Sequence, residues 1–360
     1  MVQCDNARHS GIFIERQRNM IRVGLIGFGL AGRYFHAPLI LAAGMELRVV
    51  VTSRSDAVRE FAPGAVVIDS APALFARDDI DLVVIATPNH LHVQQAAEAL
   101  RAGKHVVVDK PLSITSAQAS TLIELANAHR LRLAVFQNRR WDSDFLTVQK
   151  LIRDDRLGAI NAFHARWDRF RPIVADRWRE RAEPGAGMLH DLGSHLIDQA
   201  LCLFGRPEWI QADVFTQRSG GAANDGFEIL MGKGTLRITL GVSSLAADGG
   251  WRYRVHGARG SFLKSGLDTQ EAQLRAGVQP DAPDFGFEPT EQWGKLILGA
   301  DDSKHTIAPQ RGRWTEFYAG MRRSLERNEP VPVPAEDARE TLEVIEAAMT
   351  SSAAGRRIEL

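Results

Sequence analysis

The stretch IRVGLIGFGLAGRYFHAPLI, residues 21–40, decides the fold. An apolar run leads into GFGLAG, which puts Gly27, Gly29 and Gly32 in G-x-G-x-x-G spacing between a strand and a helix, with Phe28, Leu30 and Ala31 completing the loop. Gly27 allows the tight turn, Gly29 lets backbone approach a pyrophosphate, and Gly32 lets helix and strand pack closely. The helix N-terminus offers free N–H groups to the anion. The alternative, a glycine-rich turn that binds nothing, is countered by the runs downstream of it. LRVVVTS (47–53), AVVI (65–68), DLVVIAT (81–87), KHVVVDK (104–110) and LRLAVFQ (131–137) alternate with amphipathic stretches. Runs apolar on both faces suit central parallel strands covered by helices on each side, so the pattern predicts an N-terminal Rossmann doubly wound sheet over 21–140. Helices are predicted over 91–102, stopping at Gly103, and after Thr115, where Gln118 completes a capping-box pattern.

Beyond about residue 140 the strands lengthen and alternate, as in FHARWDRF (163–170), LRITLGVSS (236–244) and WRYRVHG (251–257). Alternation predicts a half-covered, mainly antiparallel sheet in a C-terminal α+β domain over 141–360. Helices are predicted at 188–204, 312–327 and 335–350, the last packing back on the first domain. Residues 266–310, rich in Gly, Pro and Asp, read as loops with short helical pieces, and residues 1–20 as a disordered tail with Met20 a candidate start.

Composition narrows the function class. Among 360 residues, Lys+Arg and Asp+Glu both count 44, so the basic excess of a nucleic-acid binder is missing. Two cysteines, Cys4 and Cys202, are too few for a disulfide framework or a four-thiolate zinc site. No apolar run approaches the ~18 residues of a membrane span and the N-terminus lacks a signal peptide's apolar centre, so a cytoplasmic protein is expected.

An NAD enzyme places an acid about 20 residues beyond the glycine loop to bind the adenosine ribose. Here that position reads Thr52, Ser53, Arg54, with no carboxylate until Asp56. A hydroxyl and a guanidinium suit a ribose 2′-phosphate, so NADP is expected over NAD, unless Arg54 is only a solvated helix-start charge. Thr87, Pro88 and Asn89 follow the fourth strand at the carboxyl edge of the sheet, where ligands of such folds bind. Asn89 is expected to cap the next helix and to face the cofactor. His92 either lines the same crevice or packs at the helix start. Asp109, Lys110 and Pro111 end the fifth strand at that edge, and Lys110 is aimed at the crevice, where its charge can hold a substrate hydroxyl and lower a neighbouring pKa.

The segment GAGMLHDLGSHLIDQ (185–199) spaces Asp191, His195 and Asp198 at i, i+4 and i+7, one helix face. An Asp–His pair one turn apart is a candidate acid/base couple; a structural ladder and a metal pair without a clear third ligand compete with it, and no metal is expected. NRRWDSDF (138–145) and RFRPIVADRWRE (169–180) concentrate arginine with aromatics. Interdomain packing is the expectation for Arg139, whereas Asn138, Arg177 and Trp178 are candidates to line a polar substrate pocket. Cys202 reads as inert packing.

Together GFGLAG, ATPNHLH, DKP and the G-x-G-x-x-x-D-x-G-x-H run resemble the Gfo/Idh/MocA oxidoreductase family over about residues 20–355. Family members carry a glutamate where Asp109 stands, and a glycine is often seen at Ala186; neither departure touches the proposed chemistry. The resemblance implies a catalytic set of Lys110, Asp191 and His195, with Asp191 and His195 also facing substrate. GRYFHAPLI, TSR, FQNRRWDSDFLTV and LHDLGSHLIDQALCLFG are similar to the branch of NADP-dependent scyllo-inositol dehydrogenases. That implies hydride transfer between nicotinamide and a secondary alcohol of a cyclitol or sugar. It also implies an open-faced second sheet that pairs copies into a homodimer or homotetramer. An aldose or diol dehydrogenase and a non-catalytic NADP-binding sensor are the alternatives.

Overall fold

The computed structural model describes residues 20–360, so the tail expected over residues 1–20 lies, Met20 apart, outside the described residues. A parallel sheet of six strands comes first: β1 Arg22–Ile26, β2 Glu46–Val51, β3 Val66–Ile68, β4 Leu82–Ile85, β5 His105–Asp109 and β6 Leu133–Phe136. Their order, β3-β2-β1-β4-β5-β6, reverses direction of growth between β1 and β4. That switch point opens a crevice at the carboxyl ends of β1 and β4. All four residues of β4 and of β6 are buried, as a strand with helices on both faces requires. The helix Ser116–Ala128 begins with the expected capping box: Thr115 accepts from the Gln118 backbone while Gln118 reaches back to Thr115 N–H.

Nine strands form the second sheet: β7 Ile160–Arg166, β8 Trp209–Phe215, β9 Gly226–Lys233, β10 Leu236–Ser243, β11 Tyr253–Gly257, β12 Gly260–Lys264, β13 Gly294–Leu298, β14 Lys304–Ile307 and β15 Ile358–Glu359. Their order is β14-β13-β12-β11-β7-β10-β9-β8-β15, antiparallel except for the β7/β10 pair. Strands β13 and β14 correct the reading of 266–310 as loops and short helices. Lys304, His305 and Thr306 are exposed at the edge, so neither periodicity nor apolarity marks β14; pairing with β13 makes it a strand. The predicted strand 163–170 is shifted to 160–166. Beyond Arg166 the chain leaves the ladder yet stays tied to the end of β10, Arg169 N donating to Ser243 O at 2.8 Å and Arg171 N to Ser244 O at 2.7 Å.

The chain's last long helix, Ala335–Ala354, joins the two halves. Its Glu346 carboxylate accepts from Ser116 N and Oγ of the first half, both at 2.7 Å, while its Ser351 and Ser352 hydroxyls accept from Ala212 and Val214 N–H on β8. Among the described residues no helix is long and apolar enough to cross a membrane. Arg140 adds a second clasp. Its guanidinium grips Asp198 with bonds of 2.9 and 2.6 Å and reaches Asp337 at 2.8 Å. Asp198 is 2% exposed, and burial raises its pKa even against that guanidinium. Removing one partner of such a pair strands a buried charge. Arg140→Ala should therefore lower the unfolding free energy by about 3–5 kcal/mol in chemical denaturation; an unchanged midpoint would show that the clasp carries no stability.

Candidate active site

Gly27 sits at φ +95°, and a Cβ there would lie 2.5 Å from Ala86 O on the neighbouring strand-end loop. A Cβ on Gly32 would lie 2.0 Å from Gly27 O. Gly29 faces open space, with nothing within 4 Å of a Cβ built on it. Two glycines thus close the turn on itself and the third leaves a bare approach to backbone, which fits a pyrophosphate against the helix start. Phe28 turns inward, 1% exposed and 6.2 Å from the Phe61 ring, while Leu30 and Ala31 line the crevice.

Thr52, Ser53 and Arg54 follow β2 beside this turn. Thr52 Oγ1 accepts from Arg54 N at 3.1 Å, and the Arg54 side chain is exposed, with no carboxylate partner among the described residues. Asp56, the first acid, is bound to Arg59 at 2.9 Å. Thr87 and Pro88 line the crevice after β4. Asn89 does not cap the helix: Pro88 occupies the cap position, helix Asn89–Arg101 starts at Asn89 itself, and Asn89 Nδ2 donates to Gly185 O at 3.2 Å. His92 has no exposed surface. Its two ring nitrogens lie 2.8 Å from Pro111 O and 2.8 Å from Thr87 O, so it holds two strand-end loops together beneath the crevice.

The crevice deepens into a cavity of about 760 Å³ between the two halves. Asp109 and Lys110 enter from β5, Asn138 and Arg139 from the turn after β6, and Arg169, Arg177, Trp178, Asp191 and His195 from the second half. Lys110 Nζ donates to Asp191 Oδ1 at 2.8 Å and to Asp191 O at 2.6 Å. Arg179 Nε adds a second cation 3.6 Å from the same carboxylate. Burial alone would raise the Asp191 pKa, but Lys110 and then Arg179 outweigh it and hold the carboxyl far below its usual range.

The reading of Asp191, His195 and Asp198 on one regular helix face is corrected. Leu189–Gly193 is a π-turn leading into the α-helix Ser194–Phe204, and the wider turn breaks the i, i+4 stacking. Asp191 faces Lys110, His195 faces the cavity, and Asp198 is buried on Arg140. His195 Nδ1 lies 3.1 Å from Gln137 Oε1. An amide oxygen only accepts, so Nδ1 carries the proton and the free lone pair is on Nε2. Gln137, unremarked in the sequence, is thus the residue that selects the tautomer; its position at the carboxyl end of β6 was the available signal. Burial, then the Lys110 charge, pushes the His195 pKa well below 6.5, leaving the imidazole neutral near pH 7.

Asn138 is buried, and Arg139, expected only to pack, both packs and lines the cavity. Its guanidinium lies 4.2 Å from the Trp167 ring and 5.4 Å from the Trp314 ring and pairs with Asp142 and Glu271, yet it faces the cavity. Arg177 pairs with Glu180 at 2.8 Å, and Trp178 stacks beneath Arg179 at 4.7 Å. A neutral imidazole, an ammonium and open backbone at a sheet's switch point can hold a dinucleotide and take a proton from a hydroxyl beside it.

The NAD-binding Rossmann fold of the Gfo/Idh/MocA oxidoreductases matches residues 21–137, and their C-terminal alpha/beta domain matches residues 149–360. The uncharacterised Escherichia coli oxidoreductase YdgJ is 42% identical over 333 residues, 92% of this chain and 96% of its own. The Bacillus subtilis scyllo-inositol 2-dehydrogenase (NADP(+)) IolW is 38% identical over 349 residues, 96% of this chain and 98% of its own. The solved structure of yvaA from Bacillus subtilis superposes with a TM-score of 0.94 at 38% identity, covering 96% of this chain and 99% of that one. The backbone contact at Gly32 makes a direct test. Gly32→Ala forces the turn open, so the dissociation constant for the nicotinamide dinucleotide, read by fluorescence titration, should rise at least ~10-fold; unchanged affinity would remove the turn from the binding site.

Proposed function

The chain belongs to the Gfo/Idh/MocA oxidoreductase family, and on that premise we propose that it is an NADP(H)-dependent dehydrogenase acting on a secondary alcohol of a cyclitol or sugar, with scyllo-inositol the reference substrate. The observation that carries the reading is the juxtaposition of a Gln137-oriented His195 and an Asp191-anchored Lys110 in one cavity. When bound, the nicotinamide ring supplies the carbon that accepts or returns the hydride. His195 Nε2 takes the hydroxyl proton as the carbon–hydrogen bond gives up its electron pair and the carbonyl forms. Lys110 Nζ donates to the substrate oxygen and stabilises the charge that grows there. Asp191 anchors Lys110 by carboxylate and carbonyl and is itself available to a substrate hydroxyl. Thr52, Ser53 and Arg54, beside an Asp56 tied to Arg59, support the 2′-phosphate of NADP.

Reduced-nicotinamide absorbance with scyllo-inositol should grow with NADP+ and far more slowly with NAD+. A flat trace with both would remove this substrate, and an aldose or diol would be tried next; tight NADPH binding without turnover of any polyol would support a sensor instead. Lys110→Ala should lower kcat/KM by about 10²-fold or more with NADPH affinity nearly intact; full turnover would end the role given to Lys110. The pH profile has a definite sign. His195 acts as base only when neutral, so oxidation should hold from neutral pH down past 6.5 and fall only at lower pH. In Lys110→Met a charge that lowers the His195 pKa is gone, so the acid limb should move to higher pH; an unmoved limb would separate the limb from His195.

A further inference from the structure

Seven cationic side chains line the cavity against four carboxylates. Five of the seven are compensated: Lys110 and Arg179 by Asp191, Arg139 by Asp142 and Glu271, Arg275 by Glu271, and Arg177 by Glu180. Arg169 and Arg171 are different. Among the described residues neither guanidinium has a carboxylate within ion-pair distance. The Arg169 guanidinium lies over the Trp167 ring, 5.2 Å from its centre. Their backbones are fixed by the bonds to Ser243 and Ser244, so the two side chains project from an anchored segment. Burial, and then the charge of Arg171, lowers the Arg169 pKa to about 10, because the more distant Asp191 and Glu271 carboxylates, already held by other cations, do not offset them. A partly desolvated cation beside a like charge on one cavity wall costs free energy that an incoming oxyanion removes.

The dinucleotide does not explain the pair. Its pyrophosphate has the glycine turn and helix start, and Arg54 stands ready for a 2′-phosphate, all on the first half, whereas Arg169 and Arg171 hang from the end of β7 on the opposite wall. We propose that the substrate is an anionic polyol, a cyclitol or sugar whose ring bears a carboxylate or phosphate that Arg169 and Arg171 receive. The inference rests on the polyol dehydrogenase reading and adds the charge of the substrate to it. Two planar guanidiniums offer the parallel donors that either oxyanion accepts bidentately. Ile173, 84% exposed two residues beyond Arg171, lies at the same rim, where a bound ring would cover it.

The test compares kcat/KM with NADP+ for glucose, glucuronate and glucose 6-phosphate, with scyllo-inositol as the neutral cyclitol. A charged compound should exceed both neutral ones at least ~10-fold, and whether the carboxylate or the phosphate does so identifies the anion. In Arg169→Gln and Arg171→Gln that charged-to-neutral ratio should collapse by a similar factor while the NADPH dissociation constant stays within about twofold. Neutral substrates turned over as well as charged ones, or loss of NADPH affinity in these variants, would overturn the proposal. Should none of the four be oxidised, the dehydrogenase reading fails for these compounds and a binding measurement decides the anion separately. In the NADPH-saturated protein, inorganic phosphate or glucuronate should raise the melting temperature, and the double variant should lose that shift. No shift in the parent protein, or the same shift in the variant, would overturn the anion site.

Discussion

The contact between Lys110 Nζ and Asp191 couples the two halves of the site. It joins the end of a strand in the parallel sheet to a turn that belongs to the antiparallel half, and its side chains are only 13% and 21% exposed. A charge pair so placed adds modest net stability, because desolvation offsets most of the attraction. Its value is geometric. Both the carboxylate and the carbonyl of Asp191 hold one ammonium, so the distance between the dinucleotide crevice and His195 is set by a contact that neither half can make alone. The same ammonium helps keep His195 neutral, which makes an interdomain contact a setting on the site's chemistry.

Behind the cavity wall a second layer of charges holds the helix Ser194–Phe204 in place. Arg252, 3% exposed, donates to Asp144 and to Gln199 Oε1, while Gln199 Nε2 donates to Arg139 O and Tyr253 OH donates to Gln199 Oε1. Trp314 Nε1 and Arg139 share Asp142, which burial holds well above the usual carboxylate range. Each member satisfies a neighbour that would otherwise be a stranded polar group, so the network resists rearrangement as a unit. His195 inherits that rigidity through its helix and Arg139 through its two tryptophans.

Legibility followed the range of the interactions. The glycine turn, the Thr115–Gln118 capping box and the six parallel strands were readable because each rests on residues a few positions apart or on runs apolar on both faces. Lys110, Asp191 and His195 were visible as motifs, but the helix alone left their chemistry undecided. What failed was long-range or irregular. The π-turn at Leu189–Gly193 rotates Asp191 away from the face that an α-helix would give it, and nothing in local propensity announces such a turn. Gln137 matters only because His195, 58 positions away, meets it. Strand β14 exists through its neighbour β13, and Asn89, a residue favoured at caps, is claimed by Gly185 O instead.

Net charge shows the same limit. The whole chain balances at zero, which argues against a polyanionic partner but averages over the one place where balance fails. Around the cavity, among the described residues, every cation but two has a carboxylate within ion-pair distance, with Asp191 and Glu271 each shared by two. A protein that compensates Arg140 with two aspartates and Lys264 with a fully buried Glu288 has the means to neutralise Arg169 and Arg171 as well. Leaving them bare on the wall opposite the glycine turn puts two positive ends into one cavity, one built of helix N–H groups and one of guanidiniums. On the proposal made above, the ligands that share this space, dinucleotide and substrate, bring one anionic group to each of these ends. The dinucleotide answers the first, and the charge of the substrate is the remaining term.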